Sequence, residues 1–427
     1  MYEIAIKGTH LKQIFTVLIF LSLGIQTLLA VDATLKIEKD VEQRTRIALV
    51  DGSAAKNDTF FKIMLSDLKI SGHFLADETY RKGDITSNYL LSDLKNSEYV
   101  LKYVLTQGRG SKLLIRLIKV SDNTEIFKKS YAIPNRAKTP FLAHKAIYDI
   151  NALLKYPDIS WINRYVVFSR YTTPKHSEIV LADYTFSYQK VIIRGGLNLF
   201  PIWADKDQKS FYYSSYRGLM PTLYRLNIYN GHKEKIISSE GMLVCSDVSQ
   251  DGHKLLLTMA PEGQADIYQL DLNTGAKLRI TRFGGIDVSG KYIEDESRIV
   301  FVSNRLGYAN IFKKSIHGNA ASQVVYHGRN NNAVDAHGEK IVYASRESSN
   351  AFGNNTFNLY LTTSNGTDTR PLTTTGVNQF PRFATDGTVV QFIKHRANGS
   401  SIGYINLGTS QSLLFPFSGR KIQSIDW

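Results

Sequence analysis

From residue 203 onward, a large apolar or aromatic residue followed by a polar turn returns at Trp203, Val248, Tyr292, Val334, Phe383 and Trp427, at spacings of 45, 44, 42, 49 and 44 residues. Each of the first five leads into an apolar strand, a turn and a second short strand. The stretch Val300 to Lys314, VFVSNRLGYANIFKK, shows the unit clearly, with Ser303-Asn304-Arg305 and a Gly turn ahead of Ile311 and Phe312. The same order runs from Phe211 to Arg217 with Leu223 and Tyr224, from Ile341 to Arg346 with Leu359 and Tyr360, and at Leu255 to Leu257 with Ile267 and Tyr268. Self-similarity at this period marks a radial array of four-stranded blades. Leaders from Trp203 to Phe383 open five blades. Arg164 to Arg170 and Ile179 to Ala182 supply later strands of a sixth, and Ile422 to Trp427 supplies its leader with nothing after it. Pairing that last strand with the segment near residue 165 closes the ring and removes open sheet edges. The expected fold is therefore mainly β, a C-terminal six-bladed β-propeller over 157–427 preceded by a small α/β domain, and Trp427 is expected to be structural.

Ahead of the propeller, Lys7 and Lys12 precede an uncharged apolar run from Ile14 to Leu29, with small residues at Ala30 and Ala33, so residues 1–30 read as an export signal cleaved after Ala30 or Ala33. Residues 31–156 form the α/β domain. Arg46 to Val50 reads as a strand, and Thr59 to Leu68 as a helix carrying Phe60, Phe61, Met64, Leu65 and Leu68 at helical spacing, with Asp58 or Thr59 as its cap. Glu98 to Thr106, Lys112 to Val120 and Glu125 to Ala132 read as a three-stranded meander. A closing helix from Pro140 to Leu154 places Leu142, Ala146, Ile150 and Leu153 on one face, with Pro140 in its first turn.

The net charge of +14 prompts the question of nucleic acid. Its cations are spread through every blade, without a run of five, so no phosphate-backbone groove is expected; a general attraction to anionic envelope surfaces is. The single cysteine, Cys245, permits no intramolecular disulfide and reads as a buried thiol.

The chain carries no Gly-x-Ser-x-Gly elbow, no His-Glu-x-x-His and no phosphate-cradling glycine motif. No hydrolase domain is expected after the ring. Asp205, Asp251-Gly252 and Asp386-Gly387 fall where each repeat needs a turn, and hairpin chemistry explains them without calcium. His144 reads as a satisfied structural histidine. The arginines of the Ser-x-Arg units, Arg170, Arg217, Arg305, Arg346 and Arg396, recur at one position of a symmetric wheel and read as loop braces. No catalytic, cofactor or metal residue is expected.

The string Asp67-Leu68-x-x-Ser71-Gly72-x-Phe74, the helix entry Ala143-His144, and six repeats of leader, x-x-Asp-Gly, strand, Ser-x-Arg and x-Ile-Tyr, following an export signal, together resemble the TolB family, periplasmic propeller proteins of the Tol-Pal envelope system. The resemblance spans essentially the whole chain. Departures are present: the family's Pro-x-Trp leader is complete only at Pro201-Ile202-Trp203, with Pro381-Arg382-Phe383 and Ile425-Asp426-Trp427 as variants, and its Ser-Pro-Asp-Gly turn stands as Ser249-Gln250-Asp251-Gly252. The resemblance implies a non-enzymatic, monomeric coupling protein of the periplasm that docks the lipoprotein Pal at one mouth of the propeller channel. Its N-terminal segment would engage inner-membrane TolA, and the whole would support outer-membrane integrity and constriction at division, with peptidoglycan or other outer-membrane proteins as further partners. For the channel mouth, the residues ahead of the leaders are the candidates: Pro201, Met242, Cys245, Asp287, Asn331, Asn332 and Gln379. For TolA the candidates are Asp32, Thr34, Leu35 and Ile37, an alternating strand that could either add to a partner's sheet or pair within its own domain. Two other readings are open: an exported propeller enzyme, betrayed by His and carboxylates converging at the channel mouth, and an anionic-glycan binding module.

Overall fold

The structure, a computed structural model, describes residues 44–88, 92–347, 355–397, 399–418 and 421–427. The export signal and the TolA candidates Asp32, Thr34, Leu35 and Ile37 lie outside the described residues.

Strand β1 (Thr45–Asp51) is buried at every position but Arg46, as a strand covered on both faces must be. It feeds helix α1 (Asp58–Ser71), and the return strand β2 (Phe74–Ala76) pairs with β1 in parallel. The helix is capped by Asn57, whose side chain accepts the Phe60 amide at 3.0 Å, and not by Asp58 or Thr59. The reason is conformational: Asn57 alone has the extended backbone (φ −125°, ψ 92°) that aims a side chain back at the first turn. Strands β3 (Tyr99–Gln107), β4 (Ser111–Lys119) and β5 (Thr124–Ile133) form the expected meander, giving the sheet order β2-β1-β3-β4-β5. Helix α2 (Pro140–Leu153) begins on Pro140 and buries Leu142, Ala143, Ala146, Ile147 and Ile150. Leu153, expected on that face, sits in the last turn and is 39% exposed.

The propeller has six blades. Blade 1 combines Val166–Thr173, His176–Ala182 and Gln189–Ile193 with the C-terminal strand Ile422–Asp426. Blades 2 to 6 open with the inner strands Asn198–Trp203, Leu243–Val248, Asp287–Ile293, Arg329–His337 and Val377–Phe383. Closure follows the anticipated route, with Ile422 opposite Arg170 and Asp426 opposite Val167. Trp427 is 5% exposed, packed edge-on against Trp161 at 5.4 Å and tilted against Tyr404 at 5.2 Å between ring centroids. One leader is displaced from its expected place. In blade 5 Ala336 stands opposite Ile341, the position that Trp203 holds opposite Phe211, so Ala336 and not Val334 leads that blade. An alanine carries no aromatic signal, so the sequence pattern points to Val334, the nearest larger residue, in its place.

One hydrophobic cluster runs from Ile47, Leu68 and Ile115 through Trp161 to Tyr404 and Trp427, so the α/β domain and blades 1 and 6 share a core. The Asp67-to-Phe74 string is the joint between them. Asp67 faces His144 and Tyr184; the Asn406 side chain of blade 6 donates to the Ile70 and Ser71 carbonyls at 3.2 Å each; Phe74 is 1% exposed. Gly72 ends α1 at φ 80°, where a Cβ would come within 2.7 Å of the Thr409 methyl. Gly72→Ala is expected to cost about 2 kcal/mol, from the left-handed backbone and the crowded joint together. Urea denaturation of the two proteins measures it.

Candidate docking site in the propeller channel

All six inner strands slip register against their neighbours, five of them once and that of blade 5 twice. Such bulges twist a strand locally and re-aim a side chain. Three positions ahead of the leaders stand Phe200, Cys245, Ser289, Ala333, Phe380 and Ser424; the slip spans Phe200, Ser289, Ala333 and Phe380, and it lies next to Cys245 and Ser424. All six line one cavity of about 90 Å³ at the propeller axis. Four of them, Phe200, Ser289, Ala333 and Phe380, hold a left-handed backbone, with φ of 54°, 58°, 50° and 53°. Residues with a Cβ adopt that conformation at a cost on the order of 1 kcal/mol or more, and only where the surroundings enforce it. Neighbouring blades supply part of that enforcement: the Phe200 amide donates to Ser424 Oγ and the Ser289 amide to Thr258 Oγ1, both at 3.1 Å.

The residues immediately ahead of the leaders form a second layer: Ile202, Asp247, Lys291, Asp335, Arg382 and Asp426. Three carboxylates alternate around the ring with two cations and one isoleucine. Each carboxylate accepts the leader amide of the next blade at 2.8 Å: Asp426 from Trp203, Asp247 from Tyr292, Asp335 from Phe383. The cations sit between them. Lys291 Nζ lies 2.9 Å from Asp335 and 3.8 Å from Asp247; Arg382 lies 3.8 Å from Asp335 and 3.9 Å from Asp426. Burial pushes Asp247 up to about 6 against the pull of Lys291, and raises Asp426 too. For Lys291, burial opposes the charge, but Asp335 and Asp247 prevail and hold the ammonium above its ordinary value. Carboxylates do converge here, yet each is committed to an amide and a cation. Among the described residues no group of three His, Cys, Asp or Glu is arranged to hold a metal.

Of the residues singled out from sequence, Pro201, Met242 and Cys245 line the cavity. Cys245 is 3% exposed, and burial drives its thiol well above the usual range. The other four are placed elsewhere. Asp287 is fully buried and pairs with Arg305 at 3.2 Å; Asn331 is fully buried and donates to Asn310 Oδ1 and the His327 carbonyl. Asn332 bonds the Asn330 carbonyl at 3.4 Å and Gln379 is half-buried, and neither lines the cavity. A strand flips its side chains with every residue, so an offset chosen blade by blade samples both faces. Phe200, Ser289, Ala333, Phe380 and Ser424 were missed for that reason. Counting back three residues from a consistently placed leader finds them.

The fold and this site define a class: a closed propeller with a bulge-built, side-chain-walled channel, fused through a shared core to an α/β domain. The chain matches the TolB beta propeller domain over residues 162–427. It is 46% identical to the Tol-Pal system protein TolB of Wolinella succinogenes over 420 residues, 96% of this chain and all of that one. It is 39% identical to that of Helicobacter hepaticus over 427 residues, 97% of this chain and all of the relative. The crystal structure of TolB from Acinetobacter baumannii superposes with a TM-score of 0.72 at 21% identity, covering 90% of this chain and 97% of that one, which shows the common fold. The chain belongs to the TolB family, a non-enzymatic family of Tol-Pal system components of the cell envelope.

Proposed function

We propose that the protein works in the periplasm as a docking ring, seating the lipoprotein Pal in the channel mouth and reaching TolA through the segment Asp32 to Ile37. In this reading residues 1–30 are an export signal, 31–156 the TolA-facing domain and 157–427 the Pal-binding propeller, and the link supports outer-membrane integrity and constriction at division. The observation that carries it is the six-membered wall of Phe200, Cys245, Ser289, Ala333, Phe380 and Ser424. Four left-handed residues are maintained there although the C-terminal strand already closes the ring. Backbone strain held by its surroundings at one place is characteristic of binding sites.

The test is a pull-down from detergent-solubilised envelopes with the mature chain from Val31 and with a chain beginning at Arg44. Because the α/β domain and propeller share a core, neither is taken alone. Both proteins are expected to recover Pal, and only the longer one TolA. Recovery of neither partner by the longer protein refutes the proposal.

A further inference from the structure

Between blades 3 and 4, away from the channel, lies a cavity of about 280 Å³ lined by Ile280, Thr281, Arg282, Phe283, Arg305, Lys314, Asn319 and Ala321. Its centre of interest is Lys314. The residue is 7% exposed, and its ammonium makes one long hydrogen bond, 3.4 Å, to the carbonyl of the adjacent Ser315. None of the ion pairs found among the described residues includes it. An ammonium has three donors, and burying one with its donors unused is costly. Its surroundings add to the cost. Burial holds the Lys314 charge below its ordinary value, and Arg282 and Arg305 repel it further. Arg305 is partly neutralised by Asp287 at 3.2 Å and lies over the rings of Phe283, Phe301 and Phe312. Arg282 is exposed.

We propose that this cavity is an anion-binding site for a phosphate group carried on a small polar body. A phosphate supplies several acceptor oxygens to one side chain cluster, enough for the unused Lys314 donors and for Arg282 at the rim. A volume of about 280 Å³ approaches the roughly 300 Å³ at which small-molecule pockets begin, so there is room for more than the bare anion. Asn319, exposed on the cavity lining, offers a polar partner to the attached group. The ligand's source is either a soluble phosphate monoester or a phosphate in a lipid headgroup, and both present the same chemistry to Lys314. The site is independent of the channel: none of its residues belongs to the inner-strand rings.

Thermal unfolding of the full chain with inorganic phosphate, glycerol 3-phosphate and vesicles containing phosphatidic acid, each against chloride at equal ionic strength, tests it. The wild type is expected to gain Tm with phosphate and more with glycerol 3-phosphate. Lys314→Met is expected to weaken binding about tenfold or more, the loss of one charge-assisted contact, while Lys313→Met next to it leaves binding unchanged. Arg282→Ala, at an exposed position, is the second variant and is expected to weaken binding severalfold without disturbing the fold. Flotation with the vesicles in addition to the soluble ester's effect assigns a lipid source, and the soluble effect alone assigns a free ester. No phosphate-dependent Tm shift in the wild type, or an equal shift in Lys314→Met, overturns the proposal.

Discussion

His144→Ala is expected to destabilise the protein by about 3–5 kcal/mol near pH 6, the cost of removing one partner from a buried ion cluster. His144 of α2 has no exposed surface, and its Nδ1 lies 2.9 Å from Asp67 of α1 while Nε2 lies 3.3 Å from Asp183 of blade 1. The Tyr184 hydroxyl donates to Asp67, and the amides of Thr185 and Tyr188 donate to Asp183. Burial works against the imidazolium, but the two flanking carboxylates prevail and lift it to about 9. A histidine whose folded-state value is raised gives stability that is complete below its unfolded value of about 6.5 and is lost as pH rises through about 9. Urea denaturation of the wild type from pH 6 to pH 10 is therefore expected to show a decline across that window. A variant as stable as the wild type at pH 6 contradicts this account of the joint.

Lys291→Met carries the second large effect, again about 3–5 kcal/mol at pH 7. It leaves Asp247 without its cation, and Asp335 with only Arg382 at 3.8 Å. Asp247 already stands at about 6, above the ordinary carboxylate value. A carboxyl raised in the folded state binds protons more readily there than when unfolded, so its contribution to stability falls as pH rises from about 4 to about 6. Without Lys291 the rise is larger, and acidification from pH 7 to pH 5 is expected to restore more stability to the variant than to the wild type. Equilibrium unfolding at the two pH values measures the difference. The same response in both proteins would separate Lys291 from Asp247.

The propeller was legible because its signal is repeated: a leader near every forty-fourth residue survives the loss of any one copy, as it did at Ala336. The helix and strand boundaries of the α/β domain were legible from apolar spacing, while the cap at Asn57 was not, since Asp58 and Thr59 are equally good capping residues and only backbone geometry separates them. The sequence marks His144 as structural without naming its partners. Asp67 and Asp183 are 77 and 39 residues away, and such pairing is set by how the domains meet. The channel wall was read only in part because a bulge shifts the alternation on which strand-facing predictions depend. Cys245 fell on the right offset; Asp287 fell on the buried Arg305 pair, where the Ser-x-Arg brace reading had already placed half of the answer.

Photo-crosslinking tests the docking ring most directly. A photoreactive residue replacing Ser289, on the channel wall, is compared with one replacing Tyr229, on an exposed turn that is 70% accessible. After irradiation in intact envelopes, a covalent adduct with Pal is expected from position 289 and none from position 229. An adduct with Pal from position 229 and none from 289 would place the partner on the rim and contradict the channel as its seat.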